Sequence, residues 1–231
     1  MHVVRGSLPD VDRDREATRR LAELVGETGR PAVRAWTPPR HVAFGRRDSS
    51  TDGYDRARQA ALESGYDPVE RRVGGRAVAY TGDTVAFAHA VPTDSVRGGI
   101  QERYGRVTAL LEDALGGLGA TVRPGEPDRS FCPGAHSLRG DGKIAGIAQR
   151  VERAVGVVGG CVVTTARDRR HIADVLDPVY EALGVEFDPE TVGSVADAGG
   201  TADPGAVTDA VATAFVGDRG VETTHASDVL P

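Results

Sequence analysis

Ala17, Leu21, Leu24 and Val25 recur at helical spacing and Gly26 follows as a stop, which predicts an amphipathic helix over Arg13 to Val25. Short extended pieces follow at Ala32 to Trp36 and Val42 to Gly45, separated by Pro38-Pro39, and then a more polar helix over Thr51 to Ser64. From Pro68 the chain reads as a strand that enters a glycine turn at Gly74-Gly75 and leaves as a second strand ending at Tyr80. After the Gly82-Asp83 turn, Val85, Phe87 and His89 alternate with Ala86, Ala88 and Ala90, so the strand from Thr84 to Val91 has one unusually small face.

The clearest helical stripe is Tyr104, Val107, Leu111 and Leu115, ended by Gly116-Gly117 and Gly119. Thr121-Val122 reads as a short strand, and Pro124 to Pro133 as a polar loop that carries Cys132. Ala135 to Arg139 and Lys143 to Arg150, joined by Asp141-Gly142, have the form of a hairpin. The β-branched run Ala154 to Thr165 is a buried strand, and Asp168 to Leu183 a helix capped by Asp168 and stopped by Gly184. Beyond residue 195 the signals weaken to a Pro/Gly/Ala-rich linker, a short helix over about Gly205 to Phe215 and a frayed tail. Helices lying between groups of antiparallel strand signals give an α+β (mixed α/β) class with one main sheet, residues 1–195 forming the main domain and 196–231 its linker, helix and tail.

Length and composition narrow the picture. A chain of 231 residues with 39% hydrophobic and 27% charged residues has the balance of a globular domain with its own core. The net charge of −6 argues against a general nucleic-acid binder, which needs a basic surface to neutralise phosphates. No apolar run approaches a membrane span or a signal core, so a cytoplasmic protein with no membrane partner is expected. Two cysteines are too few for a disulfide framework.

The composition also isolates one residue. Of 28 Lys plus Arg, 27 are arginine, and Lys143 is the only lysine. An ammonium is a compact three-donor charge where a guanidinium is broad, so Lys143 is expected in a tight site beside a thiol, a carbonyl or a phosphate. A P-loop is excluded, because Ser137 stands where its first glycine belongs and Ile144 follows the lysine. No dinucleotide-binding glycine pattern follows a strand, and no cysteine–histidine spacing supports a metal site. What remains is Arg71-Arg72-Val73-Gly74-Gly75-Arg76, whose backbone and guanidiniums suit an anion or an ordinary charged turn, and Cys132, a thiol in a loop bounded by turn residues. Cys161, inside a β-branched run, reads as core.

These motifs, Arg71-Arg72-x-Gly74-Gly75-Arg76-Ala77-Val78, then Phe131-Cys132-Pro133-Gly134-x-x-Ser137, then Gly142-Lys143-Ile144-Ala145-Gly146-Ile147-Ala148-Gln149-Arg150, together resemble the lipoate–protein ligase and octanoyltransferase family of the biotin/lipoate ligase superfamily. The likeness spans about Val42 to Asp188. It implies a catalytic domain with a mixed, mostly antiparallel sheet flanked by helices, acting in protein lipoylation. In the cysteine-dependent branch it resembles most, Cys132 would carry an octanoyl or lipoyl thioester. Lys143 would favour the thiolate and polarise the acyl carbonyl, and the group would pass to a lysine of a lipoyl domain or of the glycine-cleavage H protein. The implied substrate-binding residues are Arg72, Gly74, Gly75, Arg76, Ala77, Gly142, Gly146 and Ala148, the donor is an acyl-carrier protein, and no cofactor is required. The alternative is a lipoate–protein ligase using ATP and magnesium through a lipoyl-adenylate, with a separate accessory subunit because no length remains for the C-terminal domain many ligases carry. Arg76 in place of a third glycine favours the transferase branch. A third reading is a non-catalytic acyl-carrier-binding module. An acidic carrier would dock on Arg46-Arg47 or on Arg71-Arg72-Arg76. A regular hairpin closed at Asp141-Gly142 separates Cys132 from Lys143, so the chain at Pro133-Gly134 has to fold back for the two to meet.

Overall fold

The computed structural model describes residues 1–71, 74–94, 98–152 and 154–230. In chain order the elements are β1 (His2–Arg5), α1 (Val11–Thr28), β2 (Ala32–Trp36), β3 (His41–Phe44), α2 (Tyr54–Glu63), β4 (Asp67–Glu70), β5 (Val78–Tyr80), β6 (Val85–Pro92), α3 (Ile100–Gly117), β7 (Arg123–Pro124), β8 (Ser137–Arg139), β9 (Lys143–Glu152), β10 (Val155–Val162), α4 (Ala166–Leu183), α5 (Pro204–Val216) and β11 (Glu222–His225). Eight strands form one sheet in the order β11-β1-β2-β6-β10-β9-β8-β7, and three form a second in the order β4-β3-β5. The large sheet is parallel only at β11-β1-β2 and antiparallel from β2 to β7. The expected mixed, mostly antiparallel architecture is therefore observed.

Three apolar clusters hold the layers together. Helices α3 and α5 pack Val107, Leu111, Val211 and Phe215 against Phe87 and Val158 on one face of the large sheet. On the other face α1 places Ala17, Leu21 and Val25 over Ala86, Ala88 and Ala90, so the small side of β6 admits a helix close to the sheet. The third cluster joins α2 and α4 to the small sheet through Phe44, Val78, Ile172 and Tyr180. A buried ion pair pins α1: Arg34 of β2 bonds both the carboxylate and the backbone carbonyl of Asp14. The Trp36 indole N–H donates to the same carboxylate at 2.8 Å.

Several boundaries differ from the sequence reading. Helix α1 runs past Gly26 to a left-handed cap at Gly29. β4 and β5 do not pair as a hairpin, because β3 lies between them, parallel to one and antiparallel to the other. Thr165 caps α4 with its side chain, and Asp168 instead lies buried in the first turn, accepting from Thr81, Thr84 and the Thr164 N–H. The expected short strand at Thr121-Val122 forms two residues later as β7.

The short helix expected over about Gly205 to Phe215 is α5, which contributes Val207, Val211 and Phe215 to the first cluster; the segment expected as a frayed tail instead pairs as β11 with β1 at the sheet edge. β1 itself was not expected. β11 is the polar, mostly exposed run Glu-Thr-Thr-His, and an edge strand of that kind carries no apolar alternation to reveal it.

His89 on β6 is buried beside Phe215, and burial together with Arg106 and Arg219 lowers its pKa to about 4. The folded protein thus keeps the ring neutral at pH values where the unfolded chain binds a proton. Stability from this group is complete above the unfolded pKa of about 6.5 and is lost as pH falls toward about 4, by roughly 3 kcal/mol. Urea unfolding at pH 7 and pH 4.5 should show His89→Gln losing less stability over that interval than the parent, and an equal loss in both would remove His89 as a source.

Candidate active site

The loop between β7 and β8 brings Cys132 and Lys143 together by folding back over the start of β9. Its path is fixed at both ends. The Asp188 N–H donates to the Arg129 carbonyl, and the Ile147 N–H of β9 donates to the His136 carbonyl. Arg129 and Cys132 both adopt positive φ, 54° and 42°, a conformation non-glycine residues rarely take and one that the surrounding contacts must hold.

Those contacts converge on Cys132. Its N–H donates to the Tyr180 hydroxyl at 2.6 Å, and that hydroxyl donates to the Ala77 carbonyl at 3.0 Å. Its carbonyl accepts from Lys143 Nζ at 2.9 Å, as does the carbonyl of Phe131. The third Nζ donor reaches Glu126 Oε2 at 2.8 Å. Lys143 is only 1% exposed, so its ammonium is spent on these three oxygens and none of its bonds goes to the sulfur. A guanidinium is too wide for such a pocket, which accounts for a lysine at this one position.

The cation on the sulfur is Arg71, whose Nη2 donates to Cys132 Sγ at 3.1 Å and to the Arg76 carbonyl at 2.7 Å. Burial works against the Arg71 charge, but interaction with Cys132 and Tyr80 outweighs it and its pKa is raised. The glycine loop passes against the same thiol: a methyl group on Gly75 would lie 2.7 Å from Cys132 Sγ. Asp48 anchors that loop, accepting from the Arg76 guanidinium at 3.2 Å and from the Gly45 N–H at 3.0 Å.

Cys132 faces a cavity of about 760 Å³ on the α1 side of the large sheet. Ala86, Ala88, Gly146, Ala148 and Gly159 are among its lining residues, and they lie on neighbouring strands in register, Ala86 beside Cys161 and Gly146, Ala88 beside Gly159 and Ala148. Trp36 and the stacked pair His41 and Tyr80 also line it. A volume of this size suits a small ligand; the small residues of the strands form an apolar side that suits an aliphatic chain, while charged residues of α1, among them Arg15, Glu16 and Arg19, line the other side. Cys161 lines the same cavity, but burial pushes its thiol up to about 11, so it stays protonated at neutral pH.

Of the residues proposed from sequence, Cys132, Lys143, Gly146 and Ala148 line this cavity, and Gly75 lies against the Cys132 sulfur. Gly74 is exposed, Arg76 turns to Asp48, and Ala77 contributes its carbonyl to Tyr180. Gly142 packs on the backbone of Val192 and Gly193 and is not among the cavity's lining residues. Arg72 lies outside the described residues. Tyr180 and Glu126 were missed. A buried lysine demands a carboxylate partner, which points toward the acidic residues of the preceding loop, whereas nothing in a helix stripe marks Tyr180 as more than core. Among the described residues no three His, Cys, Asp or Glu side chains could hold a metal ion, and no helix is long and apolar enough to cross a membrane.

A mixed sheet carrying a thiol over an acyl-sized cavity is the setting in which the comparisons fall. The model of the lipoyl protein ligase A/B catalytic domain matches residues 15–216, and the chain belongs to that family. It is 27% identical over 189 residues to a lipoyl-[GcvH]:protein N-lipoyltransferase of Listeria monocytogenes, covering 77% of this chain and 67% of that protein. It is 33% identical over 119 residues to an octanoyl-[GcvH]:protein N-octanoyltransferase of Geobacillus kaustophilus, covering 51% of this chain and 42% of that one. The chain thus matches from about two-fifths to about two-thirds of the length of these relatives. Among solved structures, a lipoate-protein ligase A bound with ATP superposes with a TM-score of 0.76 at 16% identity, covering 99% of this chain and 91% of the other. That likeness is one of fold.

Gly75 and Gly74 offer a paired test. At Gly75 a side chain meets both a positive φ of 93° and the Cys132 sulfur, whereas at Gly74 nothing lies within 4 Å. Gly75→Ala should slow alkylation of Cys132 by iodoacetamide at least tenfold and Gly74→Ala should leave it near the parent rate; similar rates in both variants would separate the loop from the thiol.

Proposed function

We propose that the chain is a cysteine-dependent lipoyl/octanoyl-protein acyltransferase acting in protein lipoylation. The observation that carries the reading is the Cys132 thiol, facing an acyl-sized cavity with the Arg71 guanidinium 3.1 Å from its sulfur. A guanidinium there stabilises the negative charge that a sulfur carries as a nucleophile. The sulfur attacks the carbonyl of an acyl group held by a carrier protein. A carbon–sulfur bond forms, the carrier's amine or thiol leaves with a proton, and Cys132 holds the acyl group as a thioester. A lysine amine of the acceptor then attacks the thioester carbon, its nitrogen gives up a proton, and the sulfur leaves as a thiolate.

Charge on the carbonyl oxygen in both steps needs hydrogen-bond donors, and the Cys132 loop has few to give. The N–H of Cys132 is bonded to Tyr180, residue 133 is proline, and the Gly134 N–H donates to Glu126. The N–H groups of Gly75 and Arg76 have no acceptor among the described residues, which favours the glycine loop, with Arg71, as the source of oxyanion donors. Lys143 acts in this reading by fixing the backbone of the nucleophile.

GcvH appears in the names of both relatives and is the partner proposed for one side of the exchange, a lipoyl-domain lysine for the other. The thioester route requires neither ATP nor magnesium. Activation of free lipoate by ATP is the competing reading, and the placement of the Cys132 sulfur in the cavity is what favours transfer over it.

Octanoyl transfer to a lipoyl-domain lysine should be lost in Cys132→Ser, by at least a thousandfold, and retained in Cys161→Ser; a fully active Cys132→Ser enzyme would overturn the proposal. For docking of an acidic carrier, this reading favours Arg46-Arg47 over the glycine loop. Arg71 turns inward and Arg76 pairs with Asp48, whereas Arg46 and Arg47 are exposed beside the glycine loop's anchor. The double charge reversal Arg46→Glu/Arg47→Glu should lower kcat/KM for an acidic carrier about tenfold at low salt and progressively less as ionic strength rises. A salt-independent effect would argue against docking there.

A further inference from the structure

Glu126 has no part in the bond-making steps, yet its carboxylate is tied to three points of the site. Its Oε2 accepts from Lys143 Nζ at 2.8 Å and from the Ser137 hydroxyl at 2.9 Å, and its Oε1 accepts from the Gly134 N–H at 2.8 Å. These partners bracket Cys132. Before the nucleophile, Lys143 holds the carbonyls of Phe131 and Cys132; after it, Gly134 is held by Glu126 directly; and Ser137 ties the carboxylate to the first residue of β8. We infer that Glu126 is the positioning residue of the nucleophile loop, acting on Cys132 through Lys143 and through the backbone of Gly134. The inference rests on Cys132 being the nucleophile.

Two physical facts give the carboxylate this weight. An ammonium as buried as that of Lys143 is stable only with a counter-charge in contact, and Glu126 supplies the sole ion pair of Lys143 among the described residues. Cys132 also sits at positive φ, a conformation that relaxes toward the ordinary regions once its restraints weaken. With a neutral side chain at position 126, Lys143 loses the charge that keeps it in place, and the two carbonyls it holds are released together. The sulfur then no longer keeps its setting between Arg71 and Gly75. Of the restraints left, the bonds to the Arg129 and His136 carbonyls hold only the ends of the loop, and Tyr180 on the Cys132 N–H fixes one atom at its centre.

Glu126→Gln keeps the size of the side chain and removes its charge, while Glu126→Asp keeps the charge and shortens the reach. Acylation of Cys132 from octanoyl-GcvH at saturating donor should fall about 100-fold in Glu126→Gln and about tenfold in Glu126→Asp, with KM for the donor changed less than about twofold. The double variant Glu126→Gln/Lys143→Met should be no slower than Lys143→Met alone, because both changes undo one arrangement. Iodoacetamide alkylation of Cys132 should follow the same order without any acyl donor, so it reports on the loop even if acyl transfer proceeds by another route. A Glu126→Gln protein that acylates and alkylates at parental rates would overturn the inference, as would slowdowns that multiply in the double variant. A rate loss explained by the unfolded fraction in a thermal melt at the assay temperature would also overturn it.

Discussion

The site depends on one buried charge. The Lys143 ammonium lies almost wholly out of water, and its three donors are satisfied by the Glu126 carboxylate and by two backbone carbonyls of the Cys132 loop. Desolvating an ammonium costs several kcal/mol, so such a group persists only where its oxygens are held for it. The dependence runs both ways. The loop that supplies the oxygens adopts positive φ at Arg129 and Cys132 and needs the ammonium to stay folded back. The positive charge serving the backbone and the positive charge serving the sulfur are thereby different groups, Lys143 and Arg71, from different parts of the chain.

The sheet supplies the rest of the setting. Residues of β6, β10 and β9 on the α1 side are small and in register, which leaves space above them where larger side chains would have filled it. The opposite face of the same strands carries Phe87, Val158 and Ile147 into the core under α3 and α5, so the floor of the cavity is backed by packed side chains. Gly160 shows how closely these layers fit, since a methyl group there would strike the Gly146 carbonyl and the Phe87 ring. The cavity is thus a consequence of strand alternation with small residues on one side only. In the proposed transferase reading, the single lysine would also be kept from the thioester, because its ammonium is locked onto oxygens.

Much of this was readable from the chain. Alternation in Thr84 to Val91 announced the small face, and the strong helical stripes and the hairpin at Asp141-Gly142 were placed within a few residues. Lysine scarcity singled out Lys143, and three ordered motifs named the family. What could not be read was direction. Nothing in Arg71-Arg72-Val73-Gly74-Gly75-Arg76 says that Arg71 turns to the sulfur while Arg76 turns to Asp48, because both are arginines flanking the same glycines and their partners lie elsewhere in the chain. The pairing of ammonium with thiol was implied by the family resemblance, and the structure pairs the ammonium with the carbonyl of the same residue instead. Strands β1 and β11 escaped notice because their partners are distant in sequence and an edge strand of threonines carries no apolar alternation. Order along the chain reveals which groups meet; the orientation of each is decided by tertiary contacts.

The central claim is that an acyl group resides on the Cys132 sulfur between donor and acceptor. It is tested most directly by intact-mass measurement of the protein after incubation with octanoyl-GcvH without acceptor, and in parallel with lipoate plus ATP. The account predicts a mass increase of one octanoyl group in the first incubation, mapped to the peptide containing Cys132 and removed by neutral hydroxylamine, as a thioester is. No adduct with the octanoyl donor, together with ATP-dependent lipoyl-adenylate formation in the second incubation, would contradict it.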